Sequence, residues 1–226
     1  MGMFFYSINY NGNPKKPVLP QGAKLNYGQA NLPFDYIDLS RLNDVNGMDF
    51  MFSESVYTLL PPMSDTSRFR SFNATFQNTQ IITAPSIDTS GGYAFADMFN
   101  GCSHLVTIPR LNISGNSGTP ENLYRIFQGC TRLETIGWEG NINASLDISS
   151  SAALDDATIL STCYHLYSGA GAQTLRLNAA LSAKAAEYVK LNAAGDGLVF
   201  CDAADLDTLG TLADYAASKG WTILFS

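Results

Sequence analysis

The residues of this 226-residue chain best equipped for chemistry are few: His104, His165, and Cys102, Cys130, Cys163 and Cys201. Cys102 and His104 stand two positions apart, near enough in sequence to suggest a thiol beside an imidazole. The pattern does not develop. None of the cysteines lies in a C-x-x-C pair, and a metal site calls for closer ligand spacing and more histidine. Ser103 and His104 are adjacent, but no acid is positioned with them. No G-x-S-x-G turn, phosphate-binding loop or paired-histidine motif occurs. A carboxylate pair of the glycan-hydrolysing kind would be Asp65 and Asp88. Both begin turns, where capping backbone N–H groups is the more economical role. No catalytic, cofactor-binding or metal-binding residue is assigned, and no cofactor is expected.

The elements around these residues explain why the chemistry dissolves. Met98-Phe99-Asn100-Gly101-Cys102-Ser103-His104-Leu105-Val106-Thr107-Ile108-Pro109 is repeated by Ile126-Phe127-Gln128-Gly129-Cys130-Thr131-Arg132-Leu133-Glu134-Thr135-Ile136-Gly137. Ile159–Leu166 is a weaker third copy. Cys102, Cys130 and Cys163 therefore form one column, read as buried small hydrophobes, with a disulfide between adjacent repeats as the alternative. His104, Arg132 and His165 form another, read as an exposed face. A second signature, Asp/Asn-x-Ser, recurs at Asp38, Asp65, Asp88, Asn112 and Asp147, and Pro61, Pro85 and Pro109 are each 24 residues apart. Fixed-period self-similarity predicts stacked units that share one core. The period stretches around 115–120 and 141–151, where Gly, Ser and Asn mark loops.

Each unit reads as an inward Phe, a Gly-Cys turn in which glycine meets either a positive φ or a close backbone approach, and a short strand. The strands are expected at Leu105–Ile108, closed by Pro109, and at Leu133–Ile136. Farther on, strands are expected from Leu175, Leu198 and Trp221. Helices are expected over Ser182–Leu191 and Asp205–Lys219, the latter with Leu206, Leu209, Leu212, Ala213 and Ala216 on one face and Gly220 at its end. Taken at 175, 199 and 223, the strands keep the 24-residue beat, which predicts that they continue the same parallel sheet. Residues 1–35 differ. Phe4, Phe5, Tyr6 and Tyr10 precede Pro14, Pro17 and Pro20, which predicts a short strand near Phe4–Asn9 and then an extended arm. That arm is either an irregular cap on the stack or a docking arm for another subunit.

Composition narrows the partners. With Lys+Arg 13 against Asp+Glu 20, the net charge of −7 gives no footprint for nucleic acid or an anionic membrane. Hydrophobic residues make up 46%, enough for a core. No apolar run approaches the ~20 residues needed to span a bilayer, so no membrane insertion is expected. The first residues lack the cationic start of a secretory signal. A particle assembled inside a cell would need none.

The Phe-Asn/Gln-Gly-Cys-x-x-Leu-x-Thr-Ile-Pro/Gly pattern, with Asp/Asn-x-Ser between copies, resembles the BspA-like leucine-rich-repeat family of bacterial surface and phage-encoded proteins. The match is good over Phe76–Ile136, looser over Phe52–Ser67 and Ile159–Leu177, and absent from residues 1–35. The resemblance implies an α/β, right-handed leucine-rich-repeat-like solenoid with a parallel sheet over residues 36–226, closed by helix–strand repeats. It also implies attachment to proteins, cells or matrices, and carries no catalytic residues. The expected role is a non-enzymatic structural or recognition protein of a phage virion, contacting other subunits and a host surface protein or glycan. The alternatives are a bacterial cell-surface adhesin and a carbohydrate-active solenoid enzyme. Candidate interaction residues are Phe4, Phe5, Tyr6, Tyr10, His104, Arg132 and His165. Otherwise function is to be sought where the beat breaks: the arm, 115–120 and 141–151.

Overall fold

A computed structural model of the chain describes Leu39 and residues 47–63, 66–116, 119–205 and 209–226. The arm, with Phe4, Phe5, Tyr6 and Tyr10 and the expected strand at 4–9, lies outside the described residues, as do Asp38, Asp65 and Leu206.

Among the described residues, the chain from 47 to 106 is built from nested turns, with one short 3₁₀ helix at Thr66–Arg68. In the segment 72–79, Thr75, Gln77 and Thr79 each donate a backbone N–H to the carbonyl three residues back. The alternate N–H groups point along the stack. Met48, Phe50, Phe52 and Glu54 donate to the carbonyls of Ser71, Asn73, Thr75 and Gln77 in the following coil. Phe72, Ala74, Phe76 and Asn78 donate to Ala94, Ala96, Met98 and Asn100, and Phe95, Asp97, Phe99 and Gly101 to Asn122, Tyr124, Ile126 and Gln128. Each coil needs two left-handed residues four positions apart to keep this geometry. They are Phe50 and Glu54, Ala74 and Asn78, Asp97 and Gly101, and Arg125 and Gly129, with φ between 51° and 80°. For residues with a Cβ this conformation costs roughly 1–2 kcal/mol. The ladder and the core beneath it must offset that cost.

Beneath the ladder the repeat converges on aromatic columns. Phe52, Phe76, Phe99 and Phe127 stack near parallel with ring centroids 5.5, 5.4 and 6.1 Å apart. Phe72 stacks on Phe95 at 5.7 Å. All six rings are buried, and offset stacking contributes about 0.5–1.5 kcal/mol per pair beyond burial. Beside them runs a column of small polar side chains, Ser55, Thr79, Cys102 and Cys130, also buried. The Cys102 thiol donates to the Phe76 carbonyl (2.9 Å), and the Cys130 thiol to that of Phe99 (3.1 Å). All four cysteines are free thiols.

True strands start later than expected. β1 spans Thr107–Asn112 and β2 Thr135–Glu139, and they pair in parallel. The expected Leu105 and Leu133 are instead buried in the turns before them. Pro109 does not close β1 but sits inside it, at a bulge where Pro109 and Arg110 face the single residue Gly137. The bulge accommodates the missing proline N–H. A Cβ on Gly137 would come within 2.2 Å of the Pro109 carbonyl oxygen, so the position admits only glycine. Helix α1, Asp156–His165, then covers β2. Asp155 caps it by accepting from the Thr158 N–H (2.7 Å). Thr158 Oγ1 accepts the Ile136 N–H, and Thr162 Oγ1 accepts from Trp138 Nε1 at 2.8 Å.

The remaining sheet has the order β3 (Leu146–Asp147), β4 (Gln173–Leu177), β7 (Trp221–Phe225), all parallel. This corrects the expected beat. The strand from Leu198, β6 (Leu198–Cys201), lies outside this sheet and pairs antiparallel with β5 (Tyr188–Leu191). β4 and β7 are sheet neighbours 48 residues apart in register, with Gln173 opposite Trp221. The expected helix over Ser182–Leu191 is also corrected. A 3₁₀ helix spans Ala179–Ala186, capped by Asn178, and the chain then extends into β5. Helix α2 is Leu212–Ser218, shorter than expected, because Gly210 (φ 87°) and the Thr211 cap start it late. Leu212 and Ala216 are buried, Leu209 is exposed, and Gly220 (φ 82°) ends the helix turn. Among the described residues the fold is mixed α/β with short parallel sheets, and no helix is long and apolar enough to cross a membrane.

Candidate functional site

The structure separates the sequence-derived candidates. His104 and Arg132 occupy matching exposed turns, and His104 Nδ1 lies 3.4 Å from Ser103 Oγ. His165 does not share their column. It ends α1, half-buried, with Nδ1 2.6 Å from the Gly140 carbonyl and its ring edge-on to Tyr164. Burial lowers its pKa, only partly offset by the Gly140 hydrogen bond. Its ring is a structural tie, and the exposed-column reading of His165 is corrected on that ground. Three of the four thiols are closed off from solvent. Burial raises the pKa of Cys102, raises that of Cys130 well above the ordinary value, and pushes Cys163 up to about 12.

Asp/Asn-x-Ser proves to be a turn device. The carboxylate of Asp88 accepts the Ser90 N–H (2.9 Å), Asn112 accepts the N–H and hydroxyl of Ser114, and Asp147 accepts both from Ser149. Asp88 also faces Arg110 at 3.4 Å, and Arg110 reaches on to Glu139 at 2.7 Å, an ion-pair chain across three coils. Hydrogen bonds from Ser90, ahead of the Arg110 charge, hold the Asp88 pKa below its ordinary value. Among the described residues no group of His, Cys, Asp and Glu is arranged to hold a metal ion.

A groove of about 380 Å³ lies where the turn ladder meets the strands. One wall is Leu123–Gln128, the last turn row. The other is Ser145–Ser150 around β3, with Thr174 and Arg176 of β4 behind it. In the three preceding coils the row donates to the next coil; here Gly129 N–H to Ser150 Oγ (2.9 Å) is the remaining link. The Arg125 N–H, equivalent to those of Phe50, Ala74 and Asp97, has no acceptor among the described residues. A turn row and a strand differ in rise per residue, so the ladder cannot stay in register across the junction.

The groove's side chains are held from outside it. Arg125 is paired to Asp97 by two contacts, at 2.8 and 2.9 Å, and lies over the Tyr124 ring, 4.6 Å from its centroid. Tyr124 is 58% exposed, so its ring stands at the rim. Arg176 pairs with Asp147 at 3.5 Å. Ser145 is fixed by Gln173 and by the Thr174 N–H. The Gln128 amide and the hydroxyls of Tyr124 and Thr174 have no partner among the described residues. The lining holds one carboxylate, Asp147, and neither histidine nor cysteine.

None of these lining residues stood out by type. The usable signal was the broken period at 141–151, which contains Ser145–Ser150. Comparison with protein-family models, with curated proteins and with solved structures finds no match.

Proposed function

We propose that this chain is a non-enzymatic attachment protein of a phage particle, tail-, fibre- or capsid-associated. In this reading it is a leucine-rich-repeat-like right-handed solenoid whose outer face meets a host surface or a neighbouring subunit. The observation that supports it most is the contrast between inside and outside. The interior repeats one solution: Phe stacks on Phe through four coils, and in two of them a cysteine thiol donates to the carbonyl of the preceding coil. The outer positions vary from coil to coil, and where the ladder lapses they leave a preorganised polar groove. A scaffold with a constant core and a variable rim suits recognition.

Two measurements test this together. Fluorescently labelled full chain is titrated onto intact cells of a panel of bacteria. Antibody against the chain is used for immunogold labelling of particles released from a host carrying its coding sequence. Saturable binding to some of the cells, with gold on the particles, supports the proposal. Binding with label on the cell envelope alone makes it a bacterial surface adhesin, and no saturable binding to any cell ends the attachment reading.

A further inference from the structure

The groove between Leu123–Gln128 and Ser145–Ser150 has a chemistry of its own. Its charges balance locally: Arg125 is paired with Asp97, and Arg176 with Asp147. An anion would have to compete with a carboxylate already in place on each guanidinium, in a chain of net charge −7. A cation finds its one lining carboxylate, Asp147, engaged by Ser149 and Arg176. What stays open is neutral and two-sided. The Gln128 amide and the Thr174 and Tyr124 hydroxyls each donate and accept, and the Arg125 backbone N–H donates. Vicinal hydroxyl groups, each donor and acceptor at once, match such a set. The exposed Tyr124 ring, braced by Arg125, supplies an electron-rich face at the rim for a polarised C–H surface. The volume of about 380 Å³ is within the ~300–1,000 Å³ of small-ligand sites.

We propose that this groove binds a neutral, hydroxyl-rich sugar unit of a surface polysaccharide. Gln128, Thr174 and the Arg125 N–H hydrogen-bond its hydroxyls, and Tyr124 stacks on its ring. The lapse in the ladder is what makes the site: in the earlier coils the equivalent N–H is consumed by the next coil's carbonyl. The sugar's placement on a cell surface rests on the attachment reading above, whereas the groove's selectivity does not.

The test uses saturation-transfer NMR and calorimetry on the full chain. The probes are neutral trisaccharides of glucose, galactose, rhamnose and N-acetylglucosamine, with trigalacturonic acid as the acidic comparison. At least one neutral trisaccharide is expected to bind saturably and more tightly than the acidic one. Tyr124→Ala and, separately, Thr174→Val should each weaken that binding at least tenfold, while Tyr188→Ala, at an exposed aromatic outside the groove, should leave it unchanged. Near-ultraviolet circular dichroism confirms that each variant is folded, and Gln128→Ala replaces any that is not. The proposal is overturned if no neutral trisaccharide binds, if the acidic one binds better, or if folded groove variants bind like the wild type. Cell binding that survives Tyr124→Ala overturns the placement of this site's sugar on the cell surface but leaves attachment standing. Trisaccharide binding without cell binding removes attachment but leaves the site.

Discussion

Glycine and non-glycine residues share the same backbone position here, which makes left-handed geometry measurable one residue at a time. Gly101 and Gly129 take positive φ at the place where Asn78 and Glu54 also do. Gly101→Ala should cost the ~1–2 kcal/mol of the conformation plus whatever is needed to swing the Asn78 amide aside, since its Cβ would lie 2.0 Å from Asn78 Oδ1 but 3.5 Å from the nearest backbone atom. Gly171 also has φ 77°, but a Cβ there meets nothing within 4 Å. Gly171→Ala should therefore show only the conformational part, and urea unfolding of the two variants separates strain from clash. The cysteines give a second reading at this scale. Cys102, Cys130 and Cys163 are buried with raised pKa values, and Cys201 is partly exposed. At pH 8 in native buffer, a thiol reagent such as dithiobis-nitrobenzoate should modify Cys201 alone, and all four thiols should react in denaturant. Rapid native labelling of Cys102 would show that its column is not closed. Asp88 supplies the pH test. Its folded pKa is lowered, so its contribution is complete above the unfolded value and is lost as pH falls through the folded one. Asn112 does the same turn work uncharged. Asp88→Asn should keep the turn, lose the Arg110 pairing, and unfold with a shallower dependence on pH below about 4. Thermal melts across pH 3–6 check this.

At the scale of elements, local signals were legible where a turn or cap fixes the backbone. Gly-Cys, Asp/Asn-x-Ser and Gly220 each announce a particular geometry through a few neighbouring atoms. Pairing partners were not legible. The Ala-rich run after Asn178 has helix propensity along its length, but Tyr188–Leu191 is taken into a hairpin with Leu198–Cys201. The 24-residue spacing of the C-terminal strands could not reveal that the middle one leaves the sheet, since a period does not specify a neighbour. The groove was hidden for the same reason. It depends on how a turn row meets a strand, and only the broken period pointed to it. Helix α2 shows how a single cap carries a short element. The Thr211 hydroxyl accepts from the Asp214 N–H at 3.2 Å, and the Asp214 carboxylate accepts from the Thr211 N–H at 2.9 Å. At seven residues the helix is too short to stand by itself. Thr211→Ala should therefore destabilise by about 1–2 kcal/mol, and amide exchange in Ala213–Ser218 should rise more than in β1 and β2. Thr211→Ser, which keeps the hydroxyl, should recover most of the protection.

For the whole molecule, the Phe column predicts how stability is shared. Phe99 is flanked by Phe76 at 5.4 Å and Phe127 at 6.1 Å, whereas two rings separate Phe52 from Phe127. If each coil gains its core only from its neighbours, coupling should fall off within one coil. Phe99→Ala removes a fully buried ring and should cost on the order of 3–5 kcal/mol. Combined with Phe76→Ala, the two losses should not add: once one ring is gone, the other has already lost a stacking partner. An interaction energy in the range of about 0.5–3 kcal/mol is expected. Phe52→Ala with Phe127→Ala should add to within about 0.5 kcal/mol, since no side chain is shared between them. Denaturant unfolding of the two double-mutant cycles decides the matter. Equal coupling in both would mean the coils act as one cooperative block whose stability is not built from nearest-neighbour terms. Coupling confined to Phe76 and Phe99 would show that the repeat visible in the sequence is also the energetic unit of the fold. In that case a groove between coils can vary in its outer residues at little cost to the coils beyond it, the property a recognition scaffold requires.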